Sequence, residues 1–195
     1  MFAQPFLPDL EPRSAHSLFF AILPDWASAN RALAVAEAAR RRNELRGDRL
    51  KRSNLHVSLQ GVGLFYDGLP RGVVAKAEAA ASMVREAVFD VRFAHAGSYP
   101  RKGVASPFAL HNKAHQLPLV AFHRALGEAM KRQGLRRVSR TVTPHMTLLY
   151  DDLVLPATEV EPVAWTAREF VLIHGLVGFG RHEVVGRWPL RGRDH

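Results

Sequence analysis

The chain has 195 residues, 47% of them hydrophobic, which is enough for a buried core in one domain or a pair of fused lobes. It contains no cysteine, which excludes disulfides and thiolate metal sites and suits a reducing cytoplasm. Lysine and arginine number 27 against 18 aspartate and glutamate, and the formal charge of +9 favours anionic partners such as nucleic acid or phosphorylated molecules.

Residues 1–13 hold three prolines and two acids, lack the basic start and apolar run of a secretory signal, and read as a loose arm. Ser17 to Leu23 (SLFFAIL) is an apolar run of strand length, ended by Pro24. Asp25 can cap a helix that continues through an Ala-rich stretch to about Arg42. A basic loop, 47–53, carries Arg49, Lys51 and Arg52, and a strand is expected over 55–62. Three glycines and a proline make 63–72 a loop, and a helix is expected over 73–88. Phe89, Val91 and Phe93 alternate with polar or small residues as in a strand, and 97–107 reads as a loop. Pro107 to Leu110 begins a further strand. Leu119, Phe122, Leu126 and Met130 then share one face of a helix over 117–133, which Gly134 ends. A second basic loop contains Arg136, Arg137 and Arg140. After it come a strand over 145–150, an acidic proline-containing loop, and two strands near 170–176 and 183–190.

The order strand, helix, basic loop, strand thus occurs twice. Phe20 and His56 are 36 positions apart, and Phe108 and His145 are 37 apart. Two such halves related by a pseudo-twofold axis would face each other across a cleft. Alternating strands and helices without duplication would give a similar order.

Two segments carry the chemistry: Asn54-Leu55-His56-Val57-Ser58-Leu59 and Pro144-His145-Met146-Thr147-Leu148. Both read His-x-(Ser/Thr)-Leu. Side chains two apart on a strand point the same way, so each strand offers an imidazole and a hydroxyl on one face and hydrocarbon on the other. An imidazole titrates near neutrality and can take or give a proton, and a hydroxyl can donate to a phosphate oxygen. Such a pair calls for neither metal nor cofactor. The bare triplet is a weak signal in a chain with 10 histidines. Its weight comes from two copies in matching places, each after a basic loop.

These paired segments resemble the two-histidine (2H) phosphoesterase superfamily, in particular its RNA 2',3'-cyclic phosphodiesterase / 2'-5' RNA ligase branch. The resemblance extends from SLFFAIL through both motifs to the closing EVVGRWPL. It implies an α+β fold of two pseudo-symmetric lobes, with antiparallel sheets lining a central cleft and helices outside, all within one bilobal domain spanning 1–195. It implies catalytic roles for His56, Ser58, His145 and Thr147. The implied activity is hydrolysis of a cyclic phosphodiester at an RNA or nucleotide end, with 2'-5' ligation as its reverse. Ser58 stands where threonine is more usual. Where the RNA branch often has an arginine close behind the second motif, this chain has Leu149, Tyr150, Asp151 and Asp152. A 2H enzyme for an ADP-ribose cyclic phosphate or a 2'-5' oligonucleotide, or a non-catalytic RNA-binding module, are the alternatives.

Five further residues are candidates for substrate contact. Phe20 and Phe108 head equivalent strands and could stack on a base or pack in the core. Lys51 and Arg52 precede the first motif, and Tyr150 follows the second. His174 could also line the cleft. His111 and His115, four apart, could face one way on a helix as metal ligands, though no acidic partner accompanies them and exposed histidines are the commoner outcome. A cytoplasmic monomer without membrane attachment, acting on RNA or nucleotides, is expected.

Overall fold

The computed structural model describes residues 15–112 and 117–191. The arm at 1–13 and His115 lie outside the described residues. The elements follow as β1 (His16–Ile22), α1 (Trp26–Asn43), a 3₁₀ turn (Arg52–Asn54), β2 (Val57–Phe65), α2 (Arg71–Ser82), β3 (Phe89–Ser98), β4 (Ser106–His111), α3 (Leu117–Arg132), β5 (His145–Asp151), β6 (Thr158–Ala167), β7 (Glu169–Leu176) and β8 (Arg181–Pro189). Asp25 caps α1 by accepting from the Ser28 amide at 2.6 Å, and Gly134, at φ 74°, ends α3 in the left-handed region that favours glycine. Among the described residues no helix is long and apolar enough to cross a membrane.

Two four-stranded antiparallel sheets result, ordered β2-β1-β7-β8 and β5-β4-β3-β6. Neither closes on itself. Each places a motif strand, β2 or β5, at one edge beside the strand that opens its half of the chain, β1 or β4. The helices cross between halves: α1 packs on β5 and β6, while α3 packs on β2 and β3, and α2 lies on α3 and β8. One apolar cluster therefore runs through both sheets and all three helices, with Phe20, Phe93, Phe122 and Phe170 among its largest fully buried members.

Three segments differ from expectation. β6 occupies what reads as an acidic, proline-containing loop. It is the edge strand of its sheet, where Pro162 costs no ladder bond on the open side, and it buries Val163, Trp165 and Ala167 in alternation. The helix α2 stops at Ser82, six residues before Val88. There Arg85 donates to the carbonyls of Ser82 and Val84, and the chain turns toward β3. His111 ends a strand rather than sitting on a helix.

Candidate active site

The motif strands are edges of their sheets and lie against each other where the two sheets meet. Their registers match. Ser58 pairs with Ala21 of β1, and Thr147 pairs with Ala109 of β4. Each strand then takes an extra residue just past its hydroxyl, so that Leu59 with Gln60, and Leu148 with Leu149, turn inward together. Val57, Leu59, Met146 and Leu148 are buried behind the motifs, whereas Ser58 is exposed and Thr147 half-buried. The alternation expected from the sequence is the one observed.

The two imidazoles are held alike. His56 Nδ1 donates to the Asn54 carbonyl at 2.7 Å, and His145 Nδ1 donates to the Thr143 carbonyl at 2.8 Å. A carbonyl can only accept, so both rings carry the proton on Nδ1, and in the neutral ring Nε2 keeps its lone pair. Nε2 lies across each ring from its backbone anchor and is the nitrogen left for a ligand. The rings are within electrostatic reach, since charge on His145 lowers the basicity of His56.

Their surroundings differ. His56 packs against Phe19, ring centroids 5.1 Å apart, and edge-to-face against His182 of β8 at 5.2 Å. Burial is the main cause that brings its pKa down to about 4, with His182 and His145 adding repulsion and the Asn54 bond opposing. His182 has its own Nδ1 buried without a hydrogen-bond partner, and burial lowers its basicity too. Its ring lies over Gly175, where a Cβ would stand 3.1 Å from His182 Cδ2. Ala21, Val171 and Ile173, with Phe19 and Leu23 beside them, make this wall hydrocarbon.

The wall beside His145 is polar. His145, His111 and His95 are direct cross-strand partners in one row over β5, β4 and β3, with Glu159 next in line on β6. The Tyr99 ring lies tilted against His145, centroids 5.3 Å apart, and edge-to-face with His111 at 5.7 Å. Among the described residues no group of three or more His, Cys, Asp or Glu side chains is spaced to hold a metal ion.

The loops before the motifs are strapped crosswise. Ahead of His56, the Leu50 amide donates to Leu148 of β5, and the Gly47 amide donates to the Asp151 carboxylate at 2.7 Å. Backbone N–H groups at Gly47 and Leu153 hold that carboxylate below its usual range. Ahead of His145, Ser139 exchanges two hydrogen bonds with Gln60 of β2, the amide reaching Oε1 at 2.9 Å and the carbonyl accepting from Nε2 at 3.0 Å. Each motif's approach is thus pinned to the other motif's strand.

The remaining candidates fall differently. Phe20 and Phe108 are 0% and 4% exposed, so neither can stack on a base, because both face the core. Strand alternation puts the neighbouring Phe19 on the cleft side instead. Lys51 is exposed, and the Arg52 guanidinium lies 5.2 Å over the ring of Trp26. Tyr150 lines a separate cavity with Asn43, Glu44, Arg46 and Gly47 that includes neither motif histidine. His174 shares a hydrogen bond with His16, directly opposite core-facing Leu18, and is not on the cleft wall. The sequence reading missed Phe19, His182, Tyr99 and Gln60. Only Phe19 had a signal, since the face of β1 opposite Phe20 had to point at the cleft.

The profile of the 2'-5' RNA ligase superfamily matches residues 27–177. None of the curated proteins compared matches the chain. Among solved structures it is similar to E. coli LigT in apo form, with 23% identity over 91% of this chain and 99% of that one and a TM-score of 0.69. It is similar to TT0787 of Thermus thermophilus, with 20% identity over 91% and 100% and a TM-score of 0.70. The PDE domain of MHV ns2 shares 14% identity over 77% and 97%, with a TM-score of 0.50. With most of its length matched, and both His-x-(Ser/Thr)-Leu strands inside the match, the chain belongs to the 2'-5' RNA ligase superfamily of two-histidine phosphoesterases.

Proposed function

We propose that the chain hydrolyses a cyclic phosphodiester, of the 2',3' type at RNA or nucleotide ends, by paired imidazole catalysis that uses no metal. The observation that carries this reading is the matched anchoring of His56 and His145, each with Nδ1–H on the carbonyl two residues upstream. It leaves Nε2 of each ring for the substrate: one, as a free lone pair, accepts a proton from water, and the other, on a ring that enters the reaction protonated, donates its Nε2 proton to the departing ribose oxygen. The depressed basicity of His56 suits it to the base role at neutral pH, and the acid role then falls to His145. Ser58 and Thr147 donate to the non-bridging oxygens as negative charge builds. Water adds to phosphorus, the bond to one ribose oxygen breaks, and a phosphomonoester remains. The family resemblance supports a 2'-phosphate product and, by microscopic reversibility, 2'-5' joining to a 5'-hydroxyl. LigT has been crystallised complexed with 3'-AMP and with phosphate, which fits a nucleotide-sized ligand here.

The test is a panel of 2',3'-cyclic mononucleotides, oligoribonucleotides ending in a cyclic phosphate, and 2'-5' oligonucleotides, incubated with excess EDTA. The expected result is phosphomonoester formation from a cyclic substrate, with each of His56→Ala and His145→Ala slower by about 10²–10⁴-fold. Loss of turnover in EDTA, or full activity in both variants, would end the proposal. Binding of the cyclic oligoribonucleotide with no turnover of any panel member would favour an RNA-binding module instead.

A further inference from the structure

Between α3 and His145 the chain is fixed at two points. Leu135 is buried in the core, with its amide on the Met130 carbonyl at 3.0 Å. Ser139 is held by Gln60, which is itself 1% exposed and also bonded to His123. Gly127 makes room for this, because a Cβ there would lie 2.9 Å from both Gln60 Nε2 and Val138 Cγ1. The two residues after Leu135 are Arg136 and Arg137, both exposed, and among the described residues neither meets a carboxylate.

They line an open cavity of about 540 Å³ along the edge of β2, with Ser17, Phe19, Gly61 and Ser139, and no acidic side chain borders it. Phe19 joins this cavity to the cleft, since its ring also packs on His56. On the other side the histidine row ends in a carboxylate, Glu159 of β6. A strand of phosphates leaving the cleft is therefore drawn past Phe19 toward the arginines. Guanidinium forks pair with phosphate oxygens in two-point fashion, and a loop pinned on both sides presents them with little ordering cost.

We propose that the Arg136–Arg137 cavity binds the backbone phosphate of the nucleotide adjoining the reacting one, so that the site takes an RNA strand and not only a mononucleotide. The inference rests on the cyclic-phosphate reading above, which places the reacting end between His56 and His145. It gives the enzyme a preference for oligonucleotides and sets the direction in which the strand leaves the cleft.

The test reads binding without turnover. A labelled oligoribonucleotide ending in a 3'-phosphomonoester is titrated by fluorescence anisotropy over a range of KCl concentrations. For Arg136→Gln/Arg137→Gln the slope of log affinity against log salt is expected to be shallower by about 0.7 for each phosphate no longer neutralised, with affinity at low salt down about tenfold. Arg136→Lys/Arg137→Lys should restore most of the slope. Arg124→Gln, on the outer face of α3, serves as the control for removal of a surface charge. An unchanged slope in the glutamine pair, an equal loss in the control, or no measurable wild-type binding would overturn the proposal. If the wild type binds with the predicted salt dependence yet hydrolyses no cyclic phosphate, the function fails and the subsite stands. Turnover together with an unchanged slope would sink the subsite and leave the function standing.

Discussion

At the scale of single residues the site depends on two side chains per motif, and their exposure separates their effects. Ser58 is exposed, and among the described residues its hydroxyl holds no part of the fold together, so its removal leaves the fold alone. Ser58→Ala is expected to lower kcat by about 10²-fold, in the range for one missing oxyanion-type donor, while Ser58→Thr keeps the rate within a few-fold. Steady-state kinetics on a cyclic phosphate checks both. An inert alanine would remove the hydroxyl from the mechanism. All four motif residues were legible in the sequence because strand alternation alone fixes which side chains share a face. Of the two fates open to Phe20 and Phe108, packing in the core is the one found. They sit on the core face of β1 and β4, while Ala21 and Ala109, with Phe19 beyond, face the other way and pair with the motif strands. His182 could not be found from sequence, because its contact with His56 depends on the pairing β1-β7-β8.

At the scale of elements the crosswise straps explain why the two halves keep their alignment. Gln60 sits in the bulge of β2 and satisfies Ser139 and His123 together. Gln60→Leu leaves the buried His123 ring and the Ser139 backbone without partners, at a cost of about 2–4 kcal/mol. Urea unfolding should show that loss. A midpoint equal to wild type would mean the strap carries no stability. The other strap has no slack: a Cβ on Gly47 would stand 1.8 Å from the Tyr150 carbonyl oxygen. Gly47→Ala should therefore destabilise the protein and disturb β5 and His145 from the far lobe, which a drop in both Tm and turnover would report. Such straps are invisible in a sequence, since they join residues 79 or 104 positions apart. The strand β6 was hidden differently, by glutamates and a proline that only an edge position tolerates.

At the scale of the whole molecule the histidines give stability a pH dependence of definite sign. Burial lowers the basicity of His56, His123, His174 and His182 in the folded state. The unfolded chain then binds protons more readily over that interval, so stability is full above about pH 6.5 and falls as the pH drops toward about 4, where His56 titrates. Scanning calorimetry should show Tm declining across that window, with a smaller decline in His56→Asn. A flat Tm would mean His56 is not buried as described. The larger claim is that two imidazoles, far apart in sequence, present equivalent nitrogens to a single phosphorus atom. Nitrogen-15 NMR of the histidine rings during titration with inorganic phosphate tests it most directly. The expected result is that His56 and His145 are both Nδ1–H tautomers in the free protein, and that both ring signals shift along one binding curve with a common Kd. An Nε2–H tautomer at either residue, or two unrelated curves, would contradict it.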